Sequence, residues 1–289
     1  MNALKNVFLK EIKLVSTKYV RYLHDEIEWK SRLIAILGAR GVGKSTLVLQ
    51  HIKLHEDIDT TLYVSADNIY FSVHSLLDLA NEFYNLGGKA LYIDEIHKYK
   101  NWSQEIKNIY DSFPDLKIVY TGSSILELEK GGADLSRRKL EYRLPGLSFR
   151  EYLMISRDIN VRTHSLQDLL THKVEFPYTE YKPLALFKEY MKEGYYPFFD
   201  DYGYYMRLSS IVNQILENDI KDFAEMTVST ARALKKLMYI IAQSVPFKPN
   251  YSKISKDIDV NRKLVSDLMI YLENAQLINI LRDNSFGIS

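Results

Sequence analysis

The 289-residue chain contains no cysteine. Disulfides, thiolate metal sites and a cysteine nucleophile are therefore excluded, and the absence fits a cytoplasmic protein, which is the location we expect. Long apolar runs are missing too: no stretch approaches the roughly 18 residues that a membrane-spanning helix needs. The N-terminus also lacks the uninterrupted apolar core of a signal peptide. No membrane partner is expected.

The chain has no large excess of charge of either sign. Its 38 basic and 37 acidic residues give a net charge of +1, so no overall basic field favours nucleic acid as a partner. DNA binding would have to depend on a local patch. Hydrophobic residues make up 46% of the chain, which is enough for folded cores, and the length predicts one large or two ordinary domains.

The strongest pattern is a glycine-rich string that fits G-x-x-x-x-G-K-[ST], the phosphate-binding loop or Walker A motif. An apolar run at Leu33–Leu37 predicts a buried strand before it, and residues 47–52 predict a helix after it. In this setting consecutive backbone N–H groups point at phosphate oxygens, aided by the helix dipole. A plain glycine turn with an exposed lysine is the alternative. The predicted binding residues are Gly38, Ala39, Arg40, Gly41, Val42, Gly43, Lys44, Ser45 and Thr46.

Two of these side chains have predicted roles, and a second motif completes the site. Lys44 would hold the β- and γ-phosphates, and the Ser45 hydroxyl would bind Mg²⁺. About 50 residues later, an apolar strand at residues 89–93 ends in Asp94 and Glu95, the Walker B pattern. Asp94 would hold Mg²⁺ through its water shell, and Glu95 would act as the general base for an attacking water. An acidic pair in an exposed loop is the alternative, and the adjacent His97 is expected to be a loop or cap residue.

Polar residues at the next strand tip are candidates for sensing the γ-phosphate. Residues 116–121 predict a strand that would lie between the Walker A and Walker B strands. Ser123 is the first candidate sensor and Thr121 the second, although a helix N-cap at Ser123 is an equally ordinary role. A basic cluster then precedes a fifth strand at residues 140–144. Arg137 or Arg138 could stabilise phosphoryl-transfer charge in its own subunit or in a neighbour, or could be part of a solvated loop.

Together these patterns predict an α/β P-loop NTPase fold. We expect a five-stranded, mainly parallel sheet with helices on both faces, followed by a helical, winged-helix-like domain. The predicted boundaries are residues 1–156 for the P-loop domain, 157–180 for a linker and 181–289 for the second domain. Residues 1–30 are expected to form a helix and a connector; packing of the connector over an adenine is the less ordinary alternative.

The strings GARGVGKST, ALYIDEIHKYKNW, IVYTGSS and LSRRKLEYRLPGLSFREYL together are similar to a known family. They resemble the AAA-type P-loop ATPases of bacteria and archaea that carry a C-terminal DUF4143 region, over roughly residues 20–280. Arg137 stands where that family has glycine, and Arg138 matches its arginine. The resemblance implies ATP binding. A nuclease-like region that usually follows in the family is missing, which predicts a chain truncated in its C-terminal part.

The second half carries weaker signals. The aromatic-rich turn at residues 194–205 could stack on nucleobases, but a packed turn or a protein interface is more ordinary. Residues 252–258 and 261–274 predict a helix-turn-helix-like pair, and residues 277–281 a strand, in the order of a winged helix. The start of the second helix could touch DNA phosphates, or the unit could be a protein-contact module.

The predicted function is Mg²⁺-dependent ATP hydrolysis coupled to movement between the two domains, with ATP and Mg²⁺ as cofactors. A protein client and a homo-oligomer are compatible with the sequence. One alternative is a slow nucleotide-gated switch or a DNA- or protein-binding module with little turnover; another is a small-molecule phosphotransferase. No Asn-Lys-x-Asp string is present to read guanine, so GTP is not expected.

Overall fold

The computed structural model describes residues 1–122, 135–174, 182–220, 227–244 and 246–282. The first half contains five strands and the helices that cover them. The strands are β1 (Leu33–Leu37), β2 (Thr61–Ser65), β3 (Ala90–Asp94), β4 (Lys117–Gly122) and β5 (Leu140–Arg143). They form one sheet in the order β2-β3-β4-β1-β5. Every described pairing is parallel, which confirms the predicted α/β fold with a five-stranded sheet.

Helices cover this sheet, joined by short connections. They are α1 (Asn2–Leu14), α2 (Leu23–Glu26), α3 (Lys44–His55), α4 (Leu76–Asn85), α5 (Trp102–Ser112) and α6 (Phe149–Arg157), with 3₁₀ turns at Ile69–Ser72 and Ile96–Lys98. Local sequence determines several of their ends. Ser75 caps α4 by accepting a hydrogen bond from the Asp78 N–H. Ser148 and Glu151 form a capping box at the start of α6.

The position of β1 fixes where ligands can bind. All five residues of this strand are buried, as an apolar run in the middle of a parallel sheet should be. Leu37 lies opposite Gly122 of β4 and Arg143 of β5. All carboxyl ends therefore meet at one edge, the edge where open α/β sheets bind ligands. As predicted, β4 separates the strand before the P-loop from the strand that ends in Asp94.

The second half is helical in the described part. Its helices are α7 (Leu166–Leu170), α8 (Pro183–Glu193), α9 (Tyr204–Gln214) with a π-helical turn at Ile215–Asp219, α10 (Val228–Ala242), α11 (Tyr251–Asp257) and α12 (Arg262–Asn274). A second hydrophobic core lies between residues 215 and 275. By contrast, Tyr196 and Tyr204 belong to the core of the first half. The predicted domain boundaries stay predictions.

The predicted strand at residues 277–281 is wrong, because the described segment 276–282 is not a strand. Its apolar residues Leu277, Ile278 and Ile280 instead pack against the second core, which explains why this segment is apolar. The helix pair α11 and α12 is present, but the wing is not found in the described part of the chain. Among the described residues, no helix has the length and apolar character to cross a lipid bilayer.

Candidate functional site

The loop between β1 and α3 has the backbone conformation that its glycines allow. Gly41 and Gly43 have φ angles of 83° and 97°, in the left-handed region that favours glycine. A Cβ on Gly38 would lie 2.4 Å from the carbonyl oxygen of Leu144, so this position excludes any side chain. Helix α3 begins directly after Gly43, and its first N–H groups point out of the helix at this end. The cradle expected for phosphate is therefore present.

Lys44 is buried at the base of this loop. Its Nζ donates hydrogen bonds to the carbonyl oxygens of Gly38 and Ala39, at 2.8 and 2.9 Å. These two carbonyls hold the ammonium group against the first residues of the loop. A charge fixed there costs little reorganisation when a phosphate arrives. Thr46, in the first turn of α3, is exposed.

Ser45 and Asp94 are in direct contact. The Ser45 hydroxyl donates to Asp94 Oδ2 at 2.7 Å, and Tyr63 donates to the same oxygen at 2.8 Å. Burial raises the pKa of Tyr63, and the Asp94 charge raises it further, so Tyr63 stays a hydroxyl donor. Thr121 donates to Asp94 Oδ1. The buried carboxylate is thus oriented by three hydroxyl groups. A serine hydroxyl beside a carboxylate is a donor set of the hard oxygen type that suits Mg²⁺.

Glu95 follows Asp94 in a left-handed conformation, with φ of 49°. Its N–H donates to Thr121 Oγ1 at 3.2 Å, so Thr121 contacts both acidic residues of the motif. The Glu95 carboxylate lies 3.8 Å from the guanidinium group of Arg40, which is part of the P-loop. The predicted general base is therefore next to the phosphate cradle, and the structure pairs it with a cation of that cradle.

His97 is close to the same cluster of cations. Burial, together with the positive charges of Lys98, Lys44 and Arg40, lowers the pKa of His97 to about 3. The ring is therefore neutral at pH 7. Sequence reasoning could not distinguish His97 from an ordinary loop residue, because its closeness to Lys44 and Arg40 depends on the fold.

Arg21 supports the P-loop from behind, and sequence reasoning missed this role. Its Nη1 donates to the Val42 carbonyl at 2.7 Å, and its Nη2 to the carbonyls of Pro145 and Gly146. Its Nε lies 2.6 Å from Glu151 Oε1, and both side chains are at most 7% exposed. Through Arg21, the segment before β1 thus makes buried contacts that stabilise the P-loop. The alternative that it packs over an adenine receives no support from Arg21, which faces the protein.

The second half contacts the outer side of the same loop. Added Cβ atoms at Gly41 would meet Phe198 and Ile211 at 3.1 Å, and one at Gly43 would meet Pro197 at 3.6 Å. The aromatic-rich turn is therefore packed against the P-loop, as its more ordinary interpretation expected.

A residue near the end of the described chain also reaches the loop. Gln276 Oε1 accepts a hydrogen bond from the Ala39 N–H at 2.9 Å. Gln276 itself has a positive φ of 58°, so its backbone is held in a conformation that few side-chain-bearing residues adopt. Nothing in the sequence pointed to this contact.

The remaining predicted residues are not assembled with the site. Ser123 lies outside the described residues. Arg138 lies 3.3 Å from Asp111 of α5, and Arg137 is exposed. Both precede β5, which is parallel to β1, so they are at the edge of the sheet opposite the P-loop, about 16 Å away. This position argues against a role in the chain's own site; a role in a neighbouring copy stays a prediction.

Comparisons with known proteins agree with this geometry. Residues 30–153 match the AAA domain family. Residues 184–285 match a domain of unknown function, DUF8612. The expected DUF4143 region is therefore wrong: the second half is similar to a different family.

Relatives and solved structures are distant. Two uncharacterized proteins of Methanocaldococcus jannaschii, MJ1637 and MJ1544, are 25% and 23% identical and match 92% and 98% of this chain. The chain spans only 59% and 65% of their lengths.

Among solved structures, the Walker-type ATPase PABY2304 of Pyrococcus abyssi has 15% identity and a TM-score of 0.49, covering 89% of both chains. A katanin self-assembly structure has 15% identity and a TM-score of 0.32, covering 57% of this chain and 62% of that one. At these scores neither likeness bears on function. The first half of the chain is thus similar to AAA-type P-loop domains, and the second half to a domain whose function is unknown.

Proposed function

We propose that this chain binds ATP with Mg²⁺ at the P-loop and hydrolyses it. The observation that carries the proposal is the 2.7 Å contact between Ser45 and Asp94, with the Lys44 ammonium at the base of the same loop. These residues belong to two distant motifs, and the parallel sheet brings them together at one edge. The match of residues 30–153 to the AAA domain family supports the same function.

Each side chain has a role in this proposal. The loop N–H groups and Lys44 hold the phosphates, while Ser45 and Asp94 would hold Mg²⁺. A bound Mg²⁺ would neutralise phosphate charge and orient the terminal phosphate. Glu95 accepts the proton of the attacking water. Thr121 positions both acidic residues, since it donates to Asp94 and accepts the Glu95 N–H.

The contacts of the second half support coupling between nucleotide state and domain arrangement. Gln276 is bound to the N–H of Ala39, and Phe198 and Ile211 lie against Gly41. A change in the loop backbone on nucleotide binding would therefore alter the contacts that the loop makes with helix α9 and with Gln276, which follows α12. We propose that ATP binding and hydrolysis alter these contacts and so move the second half, with a client that the sequence does not identify.

The second candidate is a nucleotide-gated switch with little turnover. The ion pair between Arg40 and Glu95 favours it, because a carboxylate held by a cation is not free to contact an attacking water. Turnover would then be slow until a partner separates the pair.

Turnover measurements on three proteins test the proposal. Glu95→Gln is expected to bind Mg·ATP with wild-type affinity and to lose hydrolysis by about 100-fold or more. Glu82→Gln, on an exposed position of α4, is the matched control and should behave as wild type. Full hydrolysis by Glu95→Gln would refute the assigned base. Tight ATP binding with equal, background-level turnover in wild type and Glu95→Gln would favour the switch.

A further inference from the structure

Three histidines meet at the end of α3 that is far from the phosphate cradle. The chain has 7 histidines, and His24, His51 and His55 place their ring nitrogens within 4.8 Å of one another. His51 and His55 are one helical turn apart on α3, so they share a face. His24 comes from α2, which packs beside that face. His51 and His55 lie about 10 and about 16 Å from Lys44 along the helix, so the cluster is separate from the site described above.

Hydrogen bonding turns two of these rings toward the same point. His24 Nδ1 lies 3.1 Å from an Asp25 carboxylate oxygen, and His51 Nε2 lies 3.3 Å from Glu56 Oε1. An ionised carboxylate accepts a hydrogen bond, so we assign the N–H of each ring to this outer nitrogen. The inner nitrogens, His24 Nε2 and His51 Nδ1, lie 3.2 Å apart. With the outer N–H groups in place, both inner lone pairs are available to one cation, either a shared proton or a metal ion.

The separation of the His24 and His51 inner nitrogens fits a metal ion of the zinc type, and the His55 ring nitrogen lies within 4.8 Å of them. Tetrahedral Zn²⁺ with bonds of 2.0–2.1 Å to imidazole nitrogens separates two such nitrogens by about 3.3 Å. The inner nitrogens of His24 and His51 are already at 3.2 Å. A carboxylate on the outer ring nitrogen is the arrangement that orients metal-bound histidines in proteins.

Neighbouring side chains hold the histidine rings in place, and an open cavity gives an ion access to them. Trp29 stacks on the His51 ring with centroids 3.6 Å apart and 8° between the planes, and its indole N–H donates to the His24 carbonyl at 2.8 Å. Lys117, the nearby cation, is paired with Glu56 at 2.6 Å, so its charge is balanced. A cavity of about 470 Å³ opens over the cluster and is lined by all three histidines.

We propose that His24, His51 and His55 bind one divalent transition-metal ion of the Zn²⁺ class, with Asp25 and Glu56 as the outer hydrogen-bond partners. The ion would join the segment before β1 to the end of the P-loop helix. The three histidines include none of the residues proposed to hold ATP or Mg²⁺, so this binding can be measured without nucleotide.

Cobalt and zinc titrations of the tag-free, chelator-treated full chain test this site. Wild type is expected to bind one Co²⁺ per chain with the visible absorption of a four-coordinate ion, and Zn²⁺ should displace it. His55→Gln, at an exposed position, should weaken affinity by at least about 100-fold. His74→Gln changes another exposed histidine and should bind as wild type.

A melting measurement removes the concern that a variant is misfolded. Without metal, wild type and His55→Gln should melt at the same temperature, and Zn²⁺ should raise the melting temperature of wild type alone. No uptake by wild type, or equal affinities in wild type and His55→Gln, would overturn the proposal. Neither readout involves ATP, so failure here is distinguishable from failure of the proposed ATPase.

Discussion

Replacing Arg21 with methionine should strongly destabilise the protein and weaken nucleotide binding. The Arg21 and Glu151 side chains are 7% and 5% exposed, and removing one partner of such a buried pair costs about 3–5 kcal/mol. Arg21→Met also releases the Val42 carbonyl, to which Arg21 donates at 2.7 Å. Because Val42 is part of the P-loop, we expect Mg·ATP affinity to fall by about tenfold, or about 1.4 kcal/mol.

A double-mutant cycle separates the pair from the loop contact. Denaturant unfolding of Arg21→Met, Glu151→Gln and the double variant should show a coupling free energy of about 2 kcal/mol between the two residues. Nucleotide affinity should fall only where Arg21 is replaced. The exposed pair of Arg157 and Glu189, at 2.9 Å, is the control, and Arg157→Met should cost at most about 1 kcal/mol. The reasoning would be refuted if Arg21→Met lowered the free energy of unfolding no more than Arg157→Met does and left ATP affinity unchanged.

Two further predictions concern the partly buried residues Gln276 and His97. Gln276→Ala leaves the Ala39 N–H without its acceptor and should lower the free energy of unfolding by about 1–3 kcal/mol; the exposed Gln243→Ala should change little, and equal effects would contradict the contact. His97 has a pKa of about 3 in the folded chain and about 6.5 unfolded, so the unfolded state takes up the proton between these values and acid removes stability. Between pH 7.5 and pH 5 the free energy of unfolding of wild type should therefore fall by about 2 kcal/mol more than that of His97→Gln. The control variant His74→Gln should follow wild type. Parallel pH curves for wild type and His97→Gln would show that the ring is not held neutral.

The sheet and the contact between its two motifs could be predicted because they depend on short-range rules. An apolar run such as Leu33–Leu37 indicates a strand buried on both faces, and the glycine loop after it determines where α3 begins. Asp94 ends a second such run. Since parallel strands share one carboxyl edge, the closeness of Ser45 and Asp94 follows from the order of the elements.

Contacts between distant segments could not be predicted. Arg21 is 130 residues from Glu151 in sequence, and Gln276 is 237 residues from Ala39; no periodicity links them. The prediction of a wing strand at residues 277–281 was wrong for a different reason. A short apolar run indicates burial without identifying the element that covers it, and Ile278 and Ile280 pack against helices rather than in a sheet.

The most direct test of the central claim is a calorimetric titration of the chain with ATP in the presence of Mg²⁺. We expect one site per chain in wild type, weakened at least 100-fold by Lys44→Ala because the ammonium held by Gly38 and Ala39 is lost. Lys53→Ala, at the exposed far end of the same helix, should bind as wild type. No ATP uptake by wild type, or equal uptake by wild type and Lys44→Ala, would contradict the account.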